Sequence, residues 1–230
     1  MLLISALCYC SYMVYDFHTH TCLSDGDLTP IELIRRAVAQ GYRAVAVTDH
    51  VGAGALERVI TELKRDCALA QSHWNIVAIP GVELTHVPPG AIDEIAARAR
   101  KLGAKLVVVH GETIVEPVEK GTNMAAVCSL HVNILAHPGF LTREETDIAI
   151  KNGIFIEITA RKGHALTNGH VALMTKACRT NVLVNSDTHT SENLLTSEFA
   201  AAVAQGSGIA QDELIQILEL NPQNLLRKLS

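Results

Sequence analysis

The chain has 230 residues, 48% hydrophobic and 19% charged, which suits one domain with a substantial core and excludes a disordered chain. Nineteen Lys and Arg against 24 Asp and Glu leave a net charge of −5. That balance argues against broad attraction to nucleic acid, and an anionic ligand would need help from bound cations.

The first segment, MLLISALCYCSY (1–12), is apolar but lacks a basic n-region and a small-residue cleavage site, and is too short to span a bilayer. It is expected to be a non-native or flexible extension, with Met13 a candidate start and residues 13–230 forming a single domain. From Met13 onward, short aliphatic or β-branched runs recur: MVYDF (13–17), AVAVT (44–48), IVAIPGVE (76–83), KLVVV (105–109), VNILA (132–136), IFIEIT (154–159) and NVLVNS (181–186). Continuous apolar strands separated by helical patterns indicate a buried parallel sheet, and about 33 residues per unit is the length of a βαβ unit. TPIE (29–32) places Thr29 at an N-cap, Pro30 at the first helical position and Glu32 in a capping box, with Gly41 as the stop. TREE (142–145) repeats the capping box, GAIDEIAARARKLG (90–103) reads as a helix closed by glycine, and NPQNLLRKL (221–229) reads as a final helix capped by Asn221.

Polar residues fall at a common level. After the first strand come His18, His20 and Asp25; the following runs end in Asp49–His50, Glu83, His110, His137 and Asp187–His189. Six of the seven expected strands thus deliver His, Asp or Glu at their C-terminal ends, the rim on which parallel α/β barrels assemble active sites. Imidazole with carboxylate suits Zn²⁺, Mn²⁺ or Fe²⁺, and the number of donors implies two or three ions. In an extended HxH, the residues at i and i+2 point to one side, so both rings reach one ion. Each feature also has an ordinary explanation. Asp49 can cap a segment or orient a ligand histidine, Glu83 can be a charged loop residue, and AHPG can be a proline turn. Together those explanations require six coincidences at one level of the fold.

The stretches DFHTHTCLSDG, AVTDH, PGVE, VVVHGE, LAHPG and NSDTH resemble, in order and spacing, the motifs of the PHP (polymerase and histidinol phosphatase) superfamily. The resemblance runs from about residue 15 to 190 and is closest to its small stand-alone, histidinol-phosphatase-like members. It implies an α/β distorted (β/α)7 TIM-like barrel and a trinuclear metal site that hydrolyses phosphoesters. It also implies that His18 and His20 hold one ion with Glu83 and Asp187. Glu83 would bridge to a second ion on His110 and His137, and Asp25, His50 and His189 would hold the third. In some relatives the Asp25 position is a histidine.

The expected activity is hydrolysis of a small phosphorylated metabolite, a histidinol-phosphate-like monoester, by a hydroxide bridging the ions. Glu83, Asp187 and Arg161 are the candidate catalytic residues. EITARKGH (157–164) follows the one strand with no assigned ligand. Arg161 is its best phosphate contact, with Lys162 or His164 assisting, and a solvated basic loop is the ordinary alternative. His86 is a further substrate contact or proton donor, or a surface histidine. His73, His131 and His170 read as structural, and Cys22 as a packed small residue. Six scattered cysteines without a CxxC pair point to a reducing cytoplasm. A nucleotide phosphatase or exonuclease is the alternative enzyme. With 4% aromatic residues and no basic aromatic stripe, no extended nucleic-acid groove is expected. A non-catalytic module of a ribonucleoprotein or polymerase assembly would be the other class, against which the intact ligand set counts.

Overall fold

The computed structural model describes residues 12–230, so the expected extension at 1–12 lies outside the described residues except for Tyr12. The Tyr12 N–H donates to Ser197 Oγ at 2.7 Å. The expected strands appear as β1 (Tyr15–Asp16), β2 (Ala44–Val47), β4 (Val77–Leu84), β5 (Leu106–His110), β6 (Ile134–Ala136), β7 (Phe155–Thr159) and β8 (Val182–Asn185). A short β3 (His50–Val51), not expected from the sequence, pairs with the end of β4. All pairings are parallel, in the order β1-β2-β4-β5-β6-β7-β8. A parallel bridge between Thr19 and Thr188, with the His20 N–H donating to Thr188 O at 2.7 Å, brings the two edges together into a nearly closed barrel. β1 is shorter than the run 13–17 because its backbone turns to side chains. The Phe17 N–H donates to Asn185 Oδ1 (3.0 Å) and the His18 N–H to Asp16 Oδ1 (3.3 Å).

Helices α1 (Pro30–Ala39), α2 (Leu56–His73), α3 (Ile92–Leu102), α4 (Thr122–Cys128), α5 (Arg143–Asn152) and α6 (Asn168–Met174) connect successive barrel strands, and α7 (Ser197–Gly206) and α8 (Asn221–Leu229) follow β8. The capping box at Thr142 and Glu145 forms as read, and Gly153 at φ 69° ends α5 in the left-handed conformation that glycine adopts without steric cost. Two start signals behave differently. Thr29 precedes α1 in extended conformation but makes no side-chain cap bond, and the Glu32 carboxylate pairs with Arg36 one turn on (2.8 Å) instead of reaching back to the Thr29 N–H, so neither half of the box forms. Asn221 does not cap α8, since a π-turn (216–220) runs straight into the helix. Its buried amide donates to Val182 O at 2.6 Å and Arg179 O at 2.5 Å, tying α8 to the segment entering β8.

The larger apolar layer lies between sheet and helices, and a smaller one fills the barrel with Phe17, Leu106, Val108, Ile134, Phe155 and Leu183. Leu225 of α8 joins this inner layer, where full burial of such a side chain contributes about 1.5–3 kcal/mol. The barrel is therefore plugged by hydrocarbon, and the same inward-facing positions, followed toward the C-terminal ends, become Glu83, His110, Glu157 and Asn185. Among the described residues no helix is long and apolar enough to cross a membrane.

Candidate metal centre

At the C-terminal ends of the strands opens a cavity of about 430 Å³, lined among others by Asp25, His50, His86, His110, Glu116, Arg161, His164, Asp187 and His189. Beneath it His18, His20, Glu83 and His137 are buried. Donor atoms close enough to share an ion form four groups: His20 with Asp25, His50 and His189; His18 with Glu83 and His137; His18 with His20 and Asp187; and His110 with His137 and His164. All nine ligand positions read from the sequence fall within these groups. Two features depart from the expected assignment. His110 groups with His164, read earlier as a substrate contact, rather than with Glu83, and His20 also approaches the Asp25 group. Glu83 is central, with its carboxylate oxygens 3.2 Å from His18 Nε2, 3.6 Å from His137 Nε2 and 2.6 Å from His50 Nδ1.

The rings are oriented from behind. The Nδ1–H of His18 donates to Glu157 Oε2 (2.8 Å), that of His110 to Gly111 O (3.2 Å) and that of His189 to Asp187 O (2.9 Å), while His50 Nδ1 lies 2.6 Å from both the Thr85 hydroxyl and Glu83 Oε2 inside the cluster. A proton on Nδ1 leaves Nε2 as a lone-pair donor, and in His18, His110 and His189 Nε2 is the nitrogen facing the cluster or the cavity. His137 and Asp187 hold positive φ (24° and 54°), as does His86 (51°), a conformation unfavourable for side chains with a Cβ and typical of functional positions.

The donors suit a metal. His18 Nε2, both nitrogens of His20, Glu83 Oε1, His137 Nδ1 and Asp187 Oδ1 are buried without a hydrogen-bond partner. Each such orphan costs about 1–3 kcal/mol, and so many converging in one place fit divalent cations, which satisfy them together. Without metal, carboxylates and imidazoles share protons. Burial works against the charged form of His18, but Glu157, Glu83 and Asp187 hold its pKa well above the usual histidine range. Burial lowers His20 to about 4. Burial would raise Asp25, yet His189 and His50 hold it well below the usual carboxylate range.

Arg161 and His164 line the cavity, and Arg161 is its one Lys or Arg among the described residues. Lys162 instead lines a neighbouring groove that also touches Arg161. His86 sits at the rim, 46% exposed. Asp49 neither caps a helix nor meets a ligand ring. It accepts the Thr21 N–H (2.8 Å) and hydroxyl (2.8 Å) and the Ser24 hydroxyl (2.6 Å), shaping the loop that carries Asp25. Cys22 is exposed rather than packed, because this loop turns its thiol to solvent. His73 ends α2, His131 lies in the turn before β6, and the His170 ring on α6 bonds Leu141 O (2.7 Å), so none lines the cavity. Two acids were missed from sequence. Glu157, in the middle of IFIEIT, bonds His18; a lone carboxylate in an otherwise apolar strand, two residues from inward-facing Phe155, is its signal. Glu116, in the loop after β5, contacts His110 at 3.2 Å and gave no periodic signal.

The PHP domain model matches residues 16–110, from β1 to the end of β5. An uncharacterized protein of Methanocaldococcus jannaschii is 45% identical over 218 residues, 94% of this chain and 100% of its own length. A probable phosphatase of Thermoanaerobacter sp. is 28% identical over 222 residues, 87% of this chain and 89% of that one. Among solved structures, histidinol phosphate phosphatase from Lactococcus lactis, complexed with zinc, L-histidinol and phosphate, shares the fold with a TM-score of 0.55 at 14% identity, over 85% of this chain and 94% of that chain. With the barrel, the rim of His and carboxylate donors and a relative matched over its whole length, the chain belongs to the PHP domain family.

Proposed function

We propose that this chain is a metal-dependent phosphoester hydrolase that takes a phosphate from a small phosphorylated metabolite. The observation that carries the reading is the convergence of buried, unpartnered His, Glu and Asp donors beneath a solvent-open cavity whose one Lys or Arg is Arg161. The phosphatase description of the Thermoanaerobacter relative supports it, and the zinc- and phosphate-bound Lactococcus structure supports the fold.

In this reading His18, His20, Glu83 and Asp187 hold one ion, His110 and His137 a second with Glu83 alongside, and Asp25, His50 and His189 a third. The bound ions, zinc, manganese or iron, supply Lewis acidity that activates water and offsets charge on the phosphoryl oxygens. The protein's own residues do the rest. Arg161, whose guanidinium has no partner among the described residues, is free to take two phosphate oxygens in a bidentate contact. His86, strained at the rim, contacts the departing group or passes it a proton. The cavity of about 430 Å³ has room for a metabolite-sized monoester.

The test is a screen of phosphorylated metabolites with the Mn²⁺- and Zn²⁺-loaded protein, including histidinol phosphate, mononucleotides and 5′-phosphorylated RNA. Turnover of a small monoester, abolished in His18→Ala, is the expected result. Preference for the nucleic acid would favour an exonuclease. A metal-free, inactive chain would refute the reading.

A further inference from the structure

The connection between β5 and α4, residues 111–121, is pinned at its stem. Glu112 Oε1 accepts the N–H groups of Gly121 (2.9 Å) and Asn123 (3.0 Å), and Asn123 Oδ1 accepts that of Glu112 (2.9 Å). Beyond the stem the tip leaves Ile114 and Val115 half exposed. Glu116, the next residue, turns into the cavity. Its Oε2 lies 3.2 Å from His110 Nε2 and 3.5 Å from His86 Nε2, and its Oε1 lies 3.4 Å from His164 Nε2.

These spacings repeat those inside the donor groups, where Asp25 stands 3.3 Å from His189 and 3.4 Å from His50, and His20 stands 3.2 Å from Asp187. Atoms bound at about 2.0–2.2 Å to one ion in tetrahedral or octahedral geometry lie roughly 3.0–3.6 Å apart. The rings facing Glu116 are also anchored from behind, His110 through Gly111 O and His164 through the Thr113 hydroxyl (2.7 Å). His110, His137 and His164 form a donor group made of imidazoles alone, and Glu116 stands just outside it, in reach of His110 and His164 but not of His137. A carboxylate beside it supplies the anionic donor that a divalent ion in such a shell favours.

We propose that Glu116 is a metal ligand carried by a loop: its carboxylate completes the shell of an ion held by His110, His137 and His164, so that metal uptake clasps residues 111–121 over the cavity. The inference rests on the metal-centre reading above and adds to its second ion two donors outside the strand ends, His164 and Glu116. It makes the shape of the substrate entrance depend on metal occupancy. A phosphate monoester would then meet a closed rim only when the ion under Glu116 is present.

The experiment compares full-length wild type, Glu116→Gln and Asp25→Asn, each loaded with Mn²⁺ or Zn²⁺ and desalted. Bound metal per chain is measured by plasma mass spectrometry, and hydrogen exchange of the 111–121 segment is followed with and without metal. Glu116→Gln is expected to lose one ion, or to bind it at least about ten-fold more weakly, while its loop stops responding to metal. Asp25→Asn should lose a different ion and keep a metal-protected loop. Metal-free Glu116→Gln should melt with metal-free wild type, since the side chain lies on an exposed loop. Full metal content and an unchanged, metal-protected loop in Glu116→Gln would overturn the proposal, leaving Glu116 as an ion-pair partner of the histidines. A wild type that binds no divalent metal would overturn this proposal together with the metal centre itself.

Discussion

Replacing Glu157 by Gln tests how far the centre depends on the residues behind its ligands. Glu157 is fully buried on β7, and its carboxylate accepts from His18 Nδ1 (2.8 Å), Asn185 Nδ2 (2.8 Å) and the His137 N–H (3.3 Å). A glutamine has one acceptor oxygen. If that oxygen serves His18 and Asn185, the new amide NH₂ faces the His137 N–H, donor against donor; if it turns to His137, the other two bonds are lost. Either way at least one buried donor is orphaned, at about 1–3 kcal/mol. The bond that fixes the His18 tautomer also loses its charge assistance, roughly halving it. Loss of such a partner typically weakens metal binding about 10–100-fold, or about 1.4–2.7 kcal/mol. Competition against a chromogenic chelator measures this directly, and nitrogen NMR of the His18 ring reports its tautomer. Unchanged affinity for every ion, with His18 still protonated on Nδ1, would refute the argument that Glu157 orients the ring.

Three further outcomes follow from the same geometry. Burial opposes the charged form of His50, but Glu83 and Asp25 outweigh it and push its pKa up to about 10, so near neutral pH the metal-free ring holds a proton that a bound ion must displace. Affinity should therefore fall as pH drops, with proton release visible as a buffer-dependent binding enthalpy; a buffer-independent enthalpy would contradict it. Gly139 holds φ 65°, and a Cβ there would collide with Glu112 O, so Gly139→Ala should cost more than about 2 kcal/mol and lower the melting temperature by at least roughly 4 °C. An unshifted melt would show that the turn after His137 yields easily. Burial, with Asp66 adding, pushes the Cys67 thiol up to about 12, whereas Cys22 and Cys128 are exposed. Peptide mapping after brief alkylation of the native protein should find Cys22 and Cys128 modified and Cys67 untouched until the chain unfolds.

Much of the centre was legible because its information is local. Apolar runs ending in His18, Glu83, His110, His137 and Asp187 mark strand ends, and a parallel barrel turns every such end to one rim. The capping box at Thr142 and the stop at Gly103 are likewise encoded within a few residues. What failed locally failed to competition. The Glu32 carboxylate had Arg36 within reach and did not turn back to the Thr29 N–H, and Asn221 found the Val182 and Arg179 carbonyls across the fold instead of serving as a cap.

Sequence by itself determined the seven barrel strands, their polar ends and the chemical type of the site, because strand periodicity and residue type are properties of neighbouring positions. Tertiary structure decided which donors lie close enough to share an ion. Glu157 lies 139 residues from His18, Glu116 reaches His110, His86 and His164 from an aperiodic loop, and His164 joins His110 and His137 only through the winding of the barrel. Coordination is set by distances of a few ångströms between side chains on different strands, and closing the sheet on itself is what creates those distances.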